Sequence, residues 1–285
     1  MNMKIHRIET GNLKIDGGAM FGVVPKSLWN KSYPADENNL CNLSMNCLLI
    51  ITEDRKILID AGIGNKQDDK FFGYYYLNDI HTLKDSLEKI GITSNDITDV
   101  ILTHLHFDHC GGAVEYDEKN SLKPTFADAK YWISKQQWDL AMNPNQREKS
   151  SILKENFLPV NESGQLYLIE KNIELISGVY LRLYNGHTDG QIIPFIKYNN
   201  KTIVFVADLI PTSAHIPLSW ICGFDTRPLI SFDEKKAFLN EAYKNKYSLL
   251  FEHDINIECC NLQMTEKGIR IGESYSLQDL LSNEY

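Results

Sequence analysis

The densest group of chemistry-bearing residues in this chain is a run of three histidines and one aspartate within six positions. The run contains His104, His106, Asp108 and His109, and the apolar segment 99–102 comes directly before it. Imidazole and carboxylate groups are the ligands that suit zinc and similar divalent ions. Alternation along a strand end predicts that His104, His106 and Asp108 project together, while His109 points toward a second metal. The spacing therefore predicts a two-metal site.

Three further candidate ligands lie at the carboxyl ends of apolar, β-rich runs. They are His187, Asp208, which ends the run 202–208, and His253, which follows the run 248–252. Site residues of α/β proteins usually gather at such strand ends. A single histidine is more often a structural or surface residue than a metal ligand. The cluster of four joined to three strand-end residues favours metal binding.

The HxHxDH run, followed in order by His187, Asp208 and His253, resembles the metal-ligand pattern of the metallo-β-lactamase superfamily. The resemblance extends across nearly the whole chain, and the turn 60–64 resembles the one that lies beside the site in that family. Segment 104–112 is most similar to the branch that contains the N-acyl homoserine lactone lactonases and methyl parathion hydrolase. The resemblance implies an α/β (α+β) fold, a four-layered αββα sandwich with the metals between the two sheets.

The resemblance also implies the role of each ligand. It assigns one metal to His104, His106 and His187, the second to Asp108, His109 and His253, and a bridging position to Asp208. Two zinc ions per chain are expected, and iron, manganese or cobalt would suit the same ligands. A hydroxide shared by the two metals would attack the substrate, and Asp108 would act as a catalytic residue by orienting it.

The composition predicts a single domain over residues 1–285, because no linker, low-complexity tract or long charge run divides the chain. Apolar periodicity predicts strands at 3–9, 46–60, 97–103, 166–169, 173–176, 179–184, 192–198, 202–207, 248–253, 256–261 and 269–272. It predicts helices at 81–90, 135–143, 148–156 and 233–245.

Charge and cysteine usage limit the partners and the compartment. The net charge of −9 argues against a nucleic-acid partner, since binding the phosphate backbone needs a basic face. The first seven residues lack the apolar core of a signal peptide and no run approaches a membrane span, so a cytoplasmic protein without membrane contact is expected. The six cysteines show no CxxC spacing and are expected to be thiols. Cys110 adjoins the ligand cluster but is not predicted to be a ligand.

Three segments, 20–35, 71–76 and 210–224, carry more apolar and aromatic residues than loops usually do. They predict a hydrophobic pocket or a dimer contact, with core packing beneath long loops as an equal alternative. Together they favour a small, partly apolar ester or lactone as substrate. The apolar N-terminal loop also suggests a homodimer.

One position departs from the better-known acyl homoserine lactonases, which carry a tyrosine three residues after the bridging aspartate. This chain has Pro211 there, and methyl parathion hydrolase and its nearer lactonase relatives also lack that tyrosine. Thr212, Ser213 or His215 could donate the missing hydrogen bond. Among these, His215 is predicted to be a catalytic residue.

The predicted function is a dinuclear-metal hydrolase that opens a lactone, first of all an N-acyl homoserine lactone, as in quorum quenching. One alternative is a phosphotriesterase or arylesterase of the methyl parathion hydrolase type. Another, from a different class, is a non-catalytic metal-binding module. Glyoxalase II is disfavoured because only residues 254–285 follow His253, where that enzyme has a longer helical region.

Overall fold

The computed structural model describes residues 3–282, which contain two large β-sheets and one small sheet. In spatial order, the six-stranded sheet contains β1 (Lys4–Asp16), β2 (Leu40–Ile51), β3 (Lys56–Ile59), β4 (Asp99–Ile101), β7 (Lys130–Ser134) and β8 (Leu166–Ile169). The small sheet pairs β5 (Val114–Tyr116) with β6 (Leu122–Pro124). The seven-stranded sheet contains β15 (Gly268–Tyr275), β14 (Cys259–Thr265), β13 (Ser248–Leu250), β12 (Lys201–Phe205), β11 (Gln191–Tyr198), β10 (Val179–Tyr184) and β9 (Ile173–Ile176).

Nine α-helices occur within the described residues, and most are short. They are α1 (Gly17–Phe21), α2 (Lys26–Trp29), α3 (Asp69–Gly73), α4 (Leu83–Glu88), α5 (Phe107–Cys110), α6 (Lys135–Met142), α7 (Leu158–Glu162), α8 (Pro228–Lys244) and α9 (Leu277–Ser282). No helix among residues 3–282 combines the length and the apolar character that a membrane crossing requires.

The chain divides into two compact units. Unit 1 contains the residues up to Asn12 together with Met45–Lys171 and Gly190–Ile192, and unit 2 contains Leu13–Ser44, Asn172–Asp189 and the residues from Ile193 onward. Strands β1 and β2 contribute residues to both units. The single domain over residues 1–285 stays a prediction.

In unit 1, the parallel strands β3, β4 and β7 bring their carboxyl ends to one sheet edge. Leu58, Val100 and Tyr131 are register partners across these strands and are fully buried. Parallel strands are covered on both faces, which explains why their sequences are nearly continuous apolar runs. Asp60 follows β3 and the segment 102–106 follows β4, so both lie at this same edge of the sheet.

In unit 2, the long helix α8 connects the parallel strands β12 and β13. Its residue Phe238 is buried, and the ring centroid of Phe238 lies 6.1 Å from that of Phe195 on β11. Because β12 and β13 are parallel, the turns after them, with Asp208 and His253, lie at the same end of the sheet.

The predicted α/β class is confirmed, while one predicted helix is wrong and one strand of the six-stranded sheet was not predicted. The helix expected at 148–156 is replaced by a 3₁₀ turn at Lys154–Asn156 followed by α7. Proline is favoured in the first turn of a helix and not inside it, so Pro159 explains the later start. Strand β7 was not predicted because α6 follows it without an intervening turn.

All six cysteines are free thiols, as predicted, and all are buried. Two of them, Cys47 and Cys110, belong to unit 1, and Cys41, Cys222, Cys259 and Cys260 belong to unit 2. Burial raises the pKa of Cys110 to about 12, so this thiol stays protonated at neutral pH.

Candidate metal centre

Four of the predicted ligands lie close together in unit 1, although not by strand alternation. Strand β4 ends at Ile101, His104 and His106 lie on the loop that follows it, and Asp108 and His109 lie on α5. The expectation that a strand projects three of these side chains is therefore wrong. A loop and a single helical turn group them instead, so that Nε2 of His109 lies 3.8 Å from Oδ2 of Asp108.

Thr103 and Asp60 fix the orientation of His104. The Thr103 hydroxyl donates to Oδ2 of Asp60 at 2.6 Å, and it lies 3.1 Å from Nδ1 of His104. Since the hydroxyl hydrogen is used toward Asp60, Thr103 accepts from the imidazole, and Nδ1 of His104 carries the hydrogen. The Nε2 lone pair of His104 then faces Nδ1 of His106 at 3.0 Å.

A buried glutamate lies on the other side of His106. Oε1 of Glu148 is 3.5 Å from Nε2 of His106, and the Asn145 amide donates to the same carboxylate. The negative charge would favour a hydrogen on Nε2, and in that tautomer the Nδ1 lone pair of His106 is directed at Nε2 of His104. Two lone pairs at 3.0 Å repel each other unless a cation or a shared proton lies between them. The pair therefore fits a metal ion.

Asp60 also orients His109. Its Oδ2 accepts from Nδ1 of His109 at 3.1 Å, and its Oδ1 accepts from the backbone N–H of Thr103 at 2.7 Å. One fully buried carboxylate thus sets the tautomer of His109 directly and that of His104 through Thr103. Carboxylates that accept from the second ring nitrogen of a histidine are typical of metal sites.

In unit 2, Asp208 lies between His187 and His253. Nε2 of His253 is 3.0 Å from Oδ1 of Asp208, and Nδ1 of His253 is 2.8 Å from the backbone oxygen of Ser44. A carbonyl oxygen can only accept, so Nδ1 carries a hydrogen, and in the neutral imidazole Nε2 would present its lone pair to the carboxylate. Asp208 was predicted to end a strand, but it lies in a 3₁₀ turn after β12.

The other oxygen of Asp208 faces His187. Nε2 of His187 is 3.1 Å from Oδ2 of Asp208, and Nδ1 of His187 donates to Oδ1 of Asp225 at 2.9 Å. Both carboxylate oxygens of Asp208 therefore face an Nε2 atom of an imidazole whose Nδ1 carries a hydrogen. Two imidazoles, each held by a hydrogen bond at Nδ1, and a carboxylate together form a donor set that suits a divalent transition metal.

An aromatic cluster lies beside α5 in unit 1. The ring of Phe107 contacts Tyr75 and Phe71, with ring centroids 4.5 and 5.2 Å apart. Burial and the nearby Asp108 raise the pKa of Tyr75 to about 12, so its phenol remains a donor. Segment 71–76, which was predicted to contribute to a hydrophobic pocket or a dimer contact, thus supplies an apolar wall next to the ligand-bearing helix.

The apolar segments of unit 2 are mostly core. Phe21, Trp29 and Tyr33 are buried in segment 20–35, whereas Val23 and Leu28 are 97% and 50% exposed. In segment 210–224, the larger side chains are buried or half-buried, apart from Phe224. Core packing therefore accounts for most of these two segments.

His215 is buried, and both of its ring nitrogens have partners. Nε2 donates to the backbone oxygen of Met20 at 3.0 Å, and the Thr212 hydroxyl lies 2.8 Å from Nδ1. The ring stacks on Phe21 with centroids 4.5 Å apart. These contacts join the loop after Asp208 to helix α1. The catalytic role of His215 stays a prediction.

We expect His215 to make folding stability depend on pH. Burial lowers its pKa to about 4, whereas the unfolded value is about 6.5. Between these values the unfolded chain binds the proton and the folded chain does not. Stability from His215 is therefore present above about pH 6.5 and is lost as the pH falls toward 4, at up to about 1.4 kcal/mol per pH unit.

Urea unfolding of the wild type and of His215→Asn at several pH values between 7 and 4 measures this effect. The wild type should be the more stable protein at pH 7, and the difference should shrink as the pH falls. A difference that stays constant over this range would contradict a buried, neutral His215.

Sequence reasoning missed most of the residues that orient the candidate ligands. The turn 60–64 was expected beside the site, and an aspartate placed directly after an apolar strand could have indicated the role of Asp60. Glu148, Asp225 and the carbonyl of Ser44 come from distant segments that carry no such signal.

Comparisons with known proteins match most of the length of this chain. The family model described as "Metallo-beta-lactamase superfamily" matches residues 43–257. An N-acyl homoserine lactonase from Bacillus thuringiensis is 25% identical over 234 residues, which cover 77% of this chain and 84% of the relative. Another from Bacillus cereus is 26% identical over 252 residues, or 83% of this chain and 88% of the relative.

Solved structures match nearly the whole chain. A probable metal-dependent hydrolase from Staphylococcus aureus has a TM-score of 0.88 and 32% identity, with 96% of each chain covered. The dizinc quorum-quenching lactonase AidC, solved with a product, has a TM-score of 0.79 and 24% identity, with 96% of this chain and 95% of AidC covered. The predicted fold class is confirmed by these matches.

Proposed function

Because the chain belongs to the metallo-β-lactamase superfamily and is a metallo-hydrolase of its lactonase-like branch, we propose that it opens N-acyl homoserine lactones, a quorum-quenching activity. The observation that carries the proposal is the set of imidazole nitrogens that converge on one another in unit 1 and on a carboxylate in unit 2. In unit 2 two of them face the oxygens of Asp208 at 3.0 and 3.1 Å. The Bacillus relatives that bear the lactonase name support the choice of substrate.

The proposed cofactor is a pair of zinc ions per chain. The proposed ligands of one zinc are His104, His106 and His187, those of the other are Asp108, His109 and His253, and Asp208 is shared. The paired nitrogens of His104 and His106, 3.0 Å apart, support this assignment in unit 1. The dizinc content stated for AidC, which shares the fold, supports the number and the metal.

Metal ions and side chains of the chain would have separate roles in the reaction. When bound, divalent cations supply Lewis acidity that polarises a substrate carbonyl and lowers the pKa of a water. The carboxylate of Asp108 would orient the attacking water by accepting its hydrogen bond. Asp60 would hold the hydrogen of His109 on Nδ1 and so leave Nε2 of His109 available to bind the metal. The rings of Phe71, Tyr75 and Phe107 would contact an apolar acyl chain.

Two further proposals concern the setting of the enzyme. A cytoplasmic location is supported by six free thiols, since disulfides are rare in reducing compartments. A homodimer is supported by the exposure of Val23 and Leu28 in the N-terminal loop.

Metal content and substrate turnover measured on one sample test the proposed function. We expect about two metals per chain and a kcat/KM for hexanoyl and decanoyl homoserine lactones above roughly 10⁴ M⁻¹s⁻¹. Removing the metal with a chelator should abolish turnover, and adding zinc back should restore it.

The same assay separates the alternatives. Faster cleavage of a paraoxon-type triester would assign the chain to the phosphotriesterase class. This class is the second candidate because the chain has Pro211 where the better-known lactonases have a tyrosine. Metal-loaded protein that cleaves no lactone, ester or triester would instead indicate a metal-binding module.

A further inference from the structure

Unit 2 contains a second candidate binding site, between helix α8 and the β14–β15 hairpin. A cavity of about 440 Å³ lies between α8, the tip of the β14–β15 hairpin and the turn at Leu218–Ser219. Helix α8 lines it with Phe232, Lys236, Leu239 and Asn240. Their spacing of four, seven and eight residues places these side chains on one helix face. The volume lies in the range of small-molecule sites.

The walls of this cavity are largely apolar. Met264 and Ile269 are register partners on the β14–β15 hairpin, so their side chains lie on the same face of it. Phe232 and Leu239 approach from the helix, and Leu218 approaches from the turn. A ligand that fits this surface needs an apolar body.

The remaining lining side chains include three cations and no carboxylate. The cations are Lys236, Lys267 and Arg270, and none of the three forms an ion pair within residues 3–282. Nη1 of Arg270 donates to the backbone oxygen of Ile269 at 2.7 Å, which leaves the other N–H groups of the guanidinium for a ligand. Three cations without a carboxylate partner, in a chain of net charge −9, favour an anionic ligand.

One wall of the cavity is fixed by a buried lysine. Nζ of Lys235 donates to the backbone oxygens of His215, Pro217 and Trp220 at 3.0, 3.2 and 2.7 Å. This ammonium therefore ties the turn that carries Leu218 to helix α8. A wall held in this way needs no ordering when a ligand binds, which favours affinity.

We propose that this cavity binds a small amphipathic carboxylate. Its carboxylate contacts Lys236, Lys267 and Arg270, and its aliphatic part contacts the apolar walls. A water-sized group occupies about 30 Å³ in a liquid, so the 440 Å³ cavity holds roughly fifteen non-hydrogen atoms. A saturated carboxylate of about ten carbons is small enough to fit within it. The proposal does not depend on the reaction that the chain catalyses.

Isothermal titration of the full, metal-loaded protein with decanoate, below its micelle concentration, tests the proposal. Decanol and decyltrimethylammonium serve as matched probes without the negative charge. We expect decanoate to bind about tenfold more tightly than either probe. Lys236→Gln, Lys267→Gln and Arg270→Gln should each weaken decanoate binding about tenfold, the loss expected for one charge-assisted hydrogen bond.

Lys244→Gln is the matched control, because Lys244 is an exposed cation in the last turn of the same helix. It should leave the decanoate affinity unchanged, and Asn240→Phe should block binding by filling the cavity. Circular dichroism establishes that each variant is folded. The proposal is wrong if decanoate does not bind, if decanol binds equally well, or if Lys244→Gln weakens binding as much as Lys236→Gln does.

Discussion

Replacing Asp208 with asparagine is expected to lower the kcat/KM for lactones by at least about 10³-fold. Bound cations supply several kcal/mol of charge stabilisation to the transition state, and each 1.36 kcal/mol changes the rate about tenfold. Each oxygen of Asp208 faces a ring nitrogen, Nε2 of His187 on one side and Nε2 of His253 on the other. Asparagine would place an amide N–H₂ against one of these nitrogens. That contact becomes a hydrogen bond, so the imidazole nitrogen has a partner without a cation. The metal on that side would then lose both this histidine and the carboxylate of residue 208 as ligands.

The measurement is metal content together with lactone turnover, at several concentrations of added zinc. Asp189→Asn is the matched control, because the Asp189 carboxylate also belongs to unit 2 but pairs with Arg227. We expect the control to keep its metal and at least half of its activity. An Asp208→Asn protein with two tightly bound metals and nearly normal turnover would exclude Asp208 as a shared ligand.

Replacing Asp60 with asparagine is expected to reduce metal affinity by about 10- to 100-fold, although Asp60 is not itself a proposed ligand. Its carboxylate accepts hydrogen bonds from the backbone and side chain of Thr103 and from Nδ1 of His109. An amide has only one accepting atom, so one of these donors would face an N–H₂ group. His109 could then adopt the other tautomer, in which the hydrogen is on Nε2, the nitrogen proposed to bind the metal.

Competition with a chromophoric zinc chelator measures this loss. Asp99→Asn is the control, because Asp99 is an equally buried carboxylate of unit 1. It accepts from Trp132 and Thr98 at 2.8 and 2.7 Å and contacts no candidate ligand. We expect Asp99→Asn to lower stability and leave zinc affinity unchanged. Equal zinc affinities in the two variants would mean that Asp60 has only a structural role.

The sequence was most informative where the candidate ligands are close together along the chain. His104, His106, Asp108 and His109 fall within six residues, so almost any local structure leaves them near one another. The reason given for their grouping was nevertheless wrong, because the strand ends at Ile101 and a helical turn carries the last two. Spacing indicates metal chemistry more reliably than it indicates backbone conformation.

The residues that orient the ligands could not be predicted in the same way. Glu148 lies 42 positions from His106, and Asp225 lies 38 positions from His187. Each is one of 38 acidic residues, and nothing in its local pattern separates it from a surface carboxylate. For His215 the apolar loop suggested catalysis, and nothing in the sequence indicated the two hydrogen bonds that its ring makes with Met20 and Thr212.

The burial of all six thiols gives this chain built-in reporters of local opening. A bulky thiol reagent reaches a buried sulfur only when the surrounding structure opens, so the labelling rate at each cysteine records how often that region opens. Cys47 and Cys110 record events in unit 1, while Cys41, Cys222, Cys259 and Cys260 record events in unit 2. Mass spectrometry of labelled peptides can therefore time the opening of the two units separately, without any introduced probe.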